Sequence, residues 1–406
     1  MSKKTTHKRE SVSAPETAEL MLKIRSHQKS LSIGVPHFDI LQEKRVPITP
    51  EGARQLIARG HKVIVQSGSG KHARYSDKDY SEVGCQIAYS PEEVFREANI
   101  IIQATPPIKE EIKWLKPSHI LISPLQLHTF KRKLLESLLN KGISAIAMEY
   151  VQDRPGSYPF VRAMSQIAGT ASILIAGEYM STTNEGSGIM PGNIASVPPA
   201  HIVIIGAGVV GEYAARAAIG LGMEVHVFDY SVERLSRLQT NLGVRVYTST
   251  IYPDALRRSL KVADIAIGAL APRHGRTPIV VTEDMVAQMK PGSVIIDVSI
   301  DRGGCFETSE ITTHDNPVFT KYDVIHYCVP NIPSRYARSA SIALSNILIP
   351  MLLDMAEAGG LIEYMWNNPQ VRNGVYIFKG LLTNVDLSER FNMRMSDLNL
   401  ILPAYR

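Results

Sequence analysis

Short apolar runs rich in β-branched residues alternate along this chain with segments whose apolar residues recur at helical spacing. Alternation of buried strands and helices predicts an α/β protein built on doubly wound parallel sheets. The first series of strands is predicted at 32–35, 62–66, 86–89, 100–103, 120–123 and 143–148. A second series is predicted at 202–205, in a strand that ends on Asp229, and at 244–247, 264–269, 293–298 and 324–327.

Several helix starts have a recognisable capping sequence. Thr49-Pro50-Glu51 and Ser90-Pro91-Glu92 each place a capping hydroxyl before a first-turn proline and acid. Two longer apolar patterns, at 163–180 and 333–358, predict helices that lead the chain from one domain to the other and back.

A glycine motif follows the strand at 202–205. Gly206, Gly208 and Gly211 have the GxGxxG spacing, a helical pattern follows, and the next strand ends on Asp229. This strand–turn–helix–strand order is typical of dinucleotide binding, with the pyrophosphate at the helix N-terminus. Asp229 is placed to bind the ribose hydroxyls, which favours NAD, while nearby Arg234 leaves NADP open.

A length of 406 residues predicts two domains. We expect an N-terminal extension at 1–30, a discontinuous substrate domain at 31–160 and 336–406, and a Rossmann NAD-binding domain at 161–335 inserted between its two parts. The interior polar residues of the 342–355 run predict a core helix, and no apolar run is long enough for a membrane span.

Charge and cysteine usage narrow the possible partners. The net charge is +5, but residues 1–30 hold seven Lys and Arg against three Glu, so the body is nearly neutral and no nucleic-acid partner is expected. Three cysteines without paired spacing, and the lack of an apolar signal segment, predict free thiols and a cytoplasmic location. The histidines form no ligand-spaced cluster, so no metal is expected.

Polar residues at predicted strand ends are candidates for chemistry, because ligands of doubly wound sheets bind there. Asp301 follows the strand at 293–298 and is a candidate acid or base, or a turn residue before Gly303. Asn331 is a candidate cofactor ligand, or likewise a turn residue. Arg45, in the loop after the first strand, has the planar fork that binds a carboxylate, although such an arginine by itself is more often a surface residue.

These motifs together resemble the alanine dehydrogenase family, which shares its fold with the NAD-binding part of transhydrogenase. The resemblance covers roughly 31–395 and rests on Lys44–Pro50, Arg59–Val63, Met164–Gly169, Ile205–Gly208, Lys290–Val294, Asp301–Glu307, Thr312–Pro317 and Tyr327–Asn331. It implies that Arg45 binds the substrate carboxylate and that Asp301 lies at the nicotinamide and the substrate. It also implies that Ser165, Asp229, Val329 and Asn331 contact NAD, that the substrate is an amino acid or 2-oxo acid, and that the chain forms a homo-oligomer, commonly a hexamer.

The chain departs from the family pattern at two catalytic positions. The family's lysine is replaced by Thr105, and its histidine by Gln126. Neither residue can deliver a proton at neutral pH. His128 and Lys109 are the nearby candidate replacements.

We therefore expect an NAD-dependent oxidoreductase that oxidatively deaminates a small L-amino acid such as alanine, with altered catalysis. Two alternatives stay open: a transhydrogenase-type NAD(H)-binding subunit, and a non-catalytic NAD-sensing protein.

Overall fold

Two sheets flanked by helices form the computed structural model, which describes residues 29–38, 40, 42–127, 129–271 and 275–405. The predicted N-terminal extension therefore lies almost wholly outside the described residues. The strands, numbered in chain order, are β1 Ser32–Val35, β2 Lys62–Gln66, β3 Gln86–Ala88, β4 Ile100–Ile102, β5 Ile120–Ser123, β6 Ser144–Ala147, β7 His201–Ile205, β8 Glu224–Asp229, β9 Tyr247–Thr250, β10 Ile265–Gly268, β11 Val294–Asp297, β12 Val318–Lys321, β13 Val324–Tyr327, β14 Val375–Phe378 and β15 Leu381–Leu382.

The helices occupy the stretches between these strands and follow β15. In chain order they are α1 Pro50–Ala58, α2 Asp77–Glu82, α3 Pro91–Glu97, α4 Arg132–Asn140, α5 Pro159–Tyr179, α6 Val209–Gly220, α7 Val232–Leu242, α8 Pro253–Val262, α9 Glu283–Ala287, α10 Ala337–Glu357, α11 Leu361–Asn367, α12 Val385–Phe391 and α13 Leu398–Ile401. Thr49 and Ser90 cap α1 and α3 as the sequence predicts, each accepting a backbone N–H of the first turn.

Both sheets have the doubly wound strand order. The first runs β15-β14-β6-β5-β4-β1-β2-β3 and the second β12-β13-β11-β10-β7-β8-β9. The strand order reverses between β1 and β4 in the first sheet and between β7 and β10 in the second. These reversals are the switch points at which such sheets bind ligands.

The predicted parallel α/β class is confirmed, with antiparallel strands added at the edges. The sequence did not indicate β12, β14 or β15, whose pairings with β13, β6 and β14 are antiparallel. The strand predicted at 244–247 is wrong, because β9 begins only at Tyr247. This edge strand reads Tyr-Thr-Ser-Thr and is half-exposed, so it lacks the apolar run that marks a central strand.

The helix α10 holds the β1–α1 loop in place. A Cβ on Gly52 would lie 2.2 Å from the Ser345 Oγ, so only a glycine permits this approach of α1 to α10. The hydroxyls of Ser341 and Ser345 accept the backbone N–H groups of Val46 and Thr49 at 2.9 and 3.2 Å. The loop that contains Arg45 is thereby fixed.

Within the part of the chain that the structure describes, two helical segments are long and apolar enough to cross a membrane by length and composition, namely Pro159–Tyr179 and Ile332–Glu357. In each, about half of the most apolar window is buried inside the protein. Both contribute residues to the hydrophobic clusters around the sheets, as core helices do.

Candidate functional site

The glycine turn, Gly206–Gly211, is packed tightly on two sides and open on the third. A Cβ on Gly206, whose φ is 120°, would lie 2.3 Å from the Ala269 carbonyl oxygen, and one on Gly211 would lie 1.8 Å from that of Gly206. Around the Cβ position of Gly208, in contrast, no atom of the described residues lies within 4 Å. The open side faces the N-terminus of α6 and fits a pyrophosphate.

Asp229 ends β8 beside this turn and is nearly fully buried. Its carboxylate accepts the Ala207 N–H at 2.7 Å and the Ser231 N–H at 2.8 Å. Each oxygen keeps a further lone pair for a ribose hydroxyl. Arg234 lies 4.0 Å from the same carboxylate.

One cavity of about 370 Å³, which we call the main cavity, opens where the two switch points face each other. From the first sheet it is bounded by Arg45 after β1 and Ala104 after β4, and from the second by Val210 of the glycine-turn helix and Ala269 after β10. Its wall also includes the sequence-predicted residues Gln126, Ser165, Asp301, Val329 and Asn331.

Glu43 holds Arg45 in position. The Glu43 carboxylate accepts the Arg45 Nε–H at 2.7 Å and the Nη2–H at 2.5 Å, and the Arg45 Nη1 contacts the Met164 Sδ at 3.2 Å. Burial alone would raise the pKa of Glu43, but the Arg45 charge and hydrogen bonds from Arg45 and Asn331 hold it below its ordinary value. The guanidinium keeps one N–H on Nη1 and one on Nη2 for a ligand carboxylate.

Asn331 and Asp301 approach the same place from the second sheet. Asn331 has a left-handed backbone, with φ 58°, and its side-chain amide donates to the Glu43 Oε2 at 2.9 Å. Asp301 is accessible from the main cavity. Enclosure by protein raises its pKa, against a hydrogen bond from the Asn331 N–H and the charges of Arg302 and Arg45.

The segment that contains Asp301 is anchored by Asp297 at the end of β11. This fully buried carboxylate accepts the Ser299 N–H at 3.0 Å, the Cys305 N–H at 2.9 Å and the Ser309 hydroxyl at 2.7 Å. Burial raises the pKa of the Cys305 thiol well above its usual value. Cys305 is therefore a structural thiol, as the sequence indicates.

Thr105 and Gln126 occupy different places. Gln126 lines the main cavity and has a left-handed backbone, with φ 50°. Thr105 is buried and lines a second, much smaller cavity on the other side of Arg45, next to Phe38 and Gln103. Of the candidate replacements, Lys109 is exposed on a short 3₁₀ turn, and His128 lies outside the described residues.

The sequence did not indicate Glu149, which also lines the main cavity. It follows β6 as Asp301 follows β11, so the rule that selected Asp301 also applies to Glu149. Glu43 was missed as well, although residues two apart on an extended segment lie on one side.

Glu111 is a buried carboxyl behind this site. Its Oε1 accepts the Ile108 N–H at 2.9 Å and the Gln103 amide at 3.3 Å, while its Oε2 has no hydrogen-bond partner among the described residues. Burial raises its pKa to about 8, so the group is largely neutral near pH 7.

Glu111→Gln is expected to stabilise the protein above about pH 6. The folded protein keeps this proton up to about pH 8, whereas the unfolded chain loses it near 4.5, so the wild-type free energy of unfolding falls as the pH rises between these values. The variant lacks this loss and should exceed the wild type by about 4 kcal/mol at pH 8. Urea unfolding across this pH range measures the difference. Glu110→Gln, at an exposed neighbour, should leave the wild-type pH dependence in place.

Two α/β domains with one cavity at their switch points, together with the glycine turn, define a dinucleotide-binding protein. The family model described as Alanine dehydrogenase/PNT, N-terminal domain, matches residues 34–168, and the C-terminal domain model matches residues 172–385. The chain belongs to this alanine dehydrogenase/PNT family, whose domains bind NAD(H).

Individual relatives agree with this assignment. The chain is 36% identical to an alanine dehydrogenase of Staphylococcus epidermidis over 369 residues, covering 91% of this chain and 99% of the relative. It is 38% identical to one of Methanococcus maripaludis, covering 86% and 94%. A solved L-alanine dehydrogenase superposes with a TM-score of 0.83 at 33% identity, covering 89% of this chain and 99% of that one.

A transhydrogenase structure from Sinorhizobium meliloti shares the fold. It superposes with a TM-score of 0.74 at 22% identity, covering 87% of this chain and 99% of that one.

Proposed function

We propose that this chain catalyses the reversible, NAD-dependent oxidative deamination of a small L-amino acid, with alanine and pyruvate as the expected pair. The observation that supports this most is the placement of Arg45 and Asp301 in one cavity with the cofactor candidates Ser165, Val329 and Asn331. The identities of 36–38% to proteins named alanine dehydrogenase point to the same reaction.

Each of these residues has a role that follows from its chemistry. Arg45, held by Glu43, binds the substrate carboxylate with its two remaining N–H groups. Asp301 pairs with the substrate ammonium or iminium group. Gln126 donates a hydrogen bond to the carbonyl oxygen of the 2-oxo acid or accepts one from the substrate nitrogen, and Thr105 supports the wall behind Arg45. Bound NAD accepts the hydride from the α-carbon.

A non-catalytic NAD-binding role is the second candidate. Thr105 lies outside the main cavity and Gln126 has no ionisable group, while the glycine turn is intact. Loss of a positioned proton donor typically costs about 10²–10⁴-fold in rate, which would leave a protein that binds the dinucleotide without useful turnover.

NADH oxidation with pyruvate and ammonium, repeated with other 2-oxo acids, separates these candidates. Turnover by the unmodified protein supports the dehydrogenase, and the Thr105→Lys/Gln126→His variant should then change the rate less than tenfold. Tight NADH binding without turnover, together with activity gained in the double variant, would instead support the non-catalytic role.

A further inference from the structure

Only four charged side chains line the main cavity among the described residues, namely Arg45, Glu149, Asp301 and Arg302. Arginine does not release its proton in proteins, so the two carboxyl groups are the groups in this wall that can exchange one. The reaction proposed above needs such an exchange, and Thr105 and Gln126 cannot provide it.

Glu149 lies beside the position that takes the place of the family's histidine. Its Oε1 accepts the backbone N–H groups of Leu125 and Gln126 at 2.9 and 2.8 Å, and its Oε2 lies 3.0 Å from the Leu125 nitrogen. The left-handed backbone of Gln126 belongs to this turn around the carboxyl group. The first sheet therefore presents a carboxyl group at this edge of the cavity.

Polar groups continue behind Glu149 on one face of the first sheet. Gln103 and Ser123 follow Ile101 and Leu121 by two positions, so they share the face on which those residues pack. The buried Tyr376 of β14 lies on the same face, near Ser123, and interacts with both Glu111 and Glu149.

The two carboxyl groups of the cavity differ in their surroundings. Both arginines, Arg302 and Arg45, and the Asn331 N–H act on Asp301, and all three favour its ionised form. Burial raises the Glu149 pKa, as it does that of Asp301, and at Glu149 the backbone hydrogen bonds from Leu125 and Gln126 and the Arg302 charge oppose this rise. Tyr150 and Tyr376 are the other titratable groups that face Glu149. Surroundings that differ in this way favour proton exchange at one carboxyl group, Glu149, and a constant negative charge at the other, Asp301.

We propose that Glu149 is the catalytic acid and base of this cavity, while Asp301 stays ionised beside the substrate nitrogen. The inference rests on the proposed dehydrogenase function. In deamination the Glu149 carboxylate takes a proton from the α-ammonium group, so an N–H bond breaks and an O–H bond forms. The nitrogen lone pair then forms the C=N bond as the hydride leaves the α-carbon for NAD, which is reduced. Water then adds to the C=N carbon and ammonium leaves, which forms the carbonyl group, and Glu149 releases its proton to solvent. In the reverse direction the protonated carboxyl group donates a hydrogen bond to the carbonyl oxygen of the bound 2-oxo acid, and after hydride transfer it gives its proton to the amine nitrogen.

Pyruvate binding to the enzyme–NADH complex tests this without turnover. Neutral Glu149 donates a hydrogen bond to the carbonyl oxygen and ionised Glu149 does not, so the wild-type pyruvate Kd should rise at least about tenfold as the pH is raised through the range in which Glu149 ionises. In Glu149→Gln the amide donates at every pH, and the Kd should stay flat. Asp301→Asn, the matched change in the same cavity, removes a carboxylate that has no nitrogen to pair with in pyruvate, and the rise should remain. Quenching of NADH fluorescence gives all three curves.

Each result has a defined meaning. A rise that persists in Glu149→Gln, or disappears in Asp301→Asn alone, overturns the inference, as does the absence of pyruvate binding at any pH. NADH affinity and the circular dichroism spectrum show that each variant is folded. A wild-type protein that binds pyruvate with this Glu149-dependent rise but turns over no 2-oxo acid would refute the proposed function and with it the catalytic role of Glu149, and would leave only the hydrogen bond from Glu149 to the bound 2-oxo acid. If the wild type turns over a 2-oxo acid and the pH profile of turnover is unchanged in Glu149→Gln, the proposed function is supported and the inference about Glu149 is refuted.

Discussion

Arg45→Lys should lower turnover with amino acids and 2-oxo acids by about 10²-fold, chiefly through a higher KM. Lysine keeps a positive charge beside Glu43 but has no planar fork, so it cannot bind Glu43 and the substrate carboxylate in parallel pairs. Arg45→Ala removes these interactions altogether, and we expect about a 10²–10⁴-fold loss of kcat/KM. Steady-state NADH oxidation gives these values, and NADH affinity should change little.

A control is needed because Arg45→Ala leaves the buried Glu43 carboxylate without its charged partner, which typically costs several kcal/mol of stability. Glu43→Gln/Arg45→Ala removes both charges and should recover most of the stability. Its turnover should stay as low as that of the single variant. If the double variant regained activity, the role of Arg45 in substrate binding would be refuted.

Gly208→Ala should weaken NADH binding by about 100-fold, which corresponds to about 3 kcal/mol, while leaving the fold intact. The added methyl group meets no atom of the described residues within 4 Å, and the φ of −78° suits alanine. Its only expected conflict is with the pyrophosphate that this space fits. Fluorescence titration with NADH and a thermal unfolding curve measure the two effects.

Gly220→Ala is the matched control on the same helix. A Cβ there also meets nothing within 4 Å among the described residues, and the position lies at the opposite end of α6. NADH affinity should not change in this variant. An equal loss in both variants, or none in Gly208→Ala, would argue against the open side of the glycine turn as the cofactor site.

The central strands of both sheets could be predicted from the sequence because they are buried on both faces and read as apolar runs. The antiparallel edges could not. The strand β14 pairs with β6 through Val375 and Ile146, residues far apart along the chain, and no local pattern indicates such a contact. The polar edge strand β9 was misplaced for the related reason that half of its surface faces water.

The candidate site could be predicted where the type of residue indicates its chemistry, as with Arg45 and Asp301. It could be predicted less well where the role of a residue depends on its position in the folded protein. Gln126 and Thr105 each follow a strand of the first sheet and replace a catalytic residue of the family pattern, yet of these two only Gln126 lines the main cavity. The difference depends on how the two loops turn after β4 and β5. Glu43 was missed although its spacing of two from Arg45 puts both on one side of an extended segment, and the folded loop brings both to Asn331.

Glu43 is shared by the two halves of the molecule: one oxygen, Oε2, accepts from Arg45 of the first sheet and from Asn331 of the second. If Asn331 moves toward a bound dinucleotide, its hydrogen bond to Glu43 changes. The charge and position of the Arg45 guanidinium that binds the substrate carboxylate then change as well. Occupancy of the two subsites then forms a thermodynamic cycle, whose coupling is reciprocal. By whatever factor NADH tightens pyruvate binding, pyruvate must tighten NADH binding by the same factor, whichever ligand binds first.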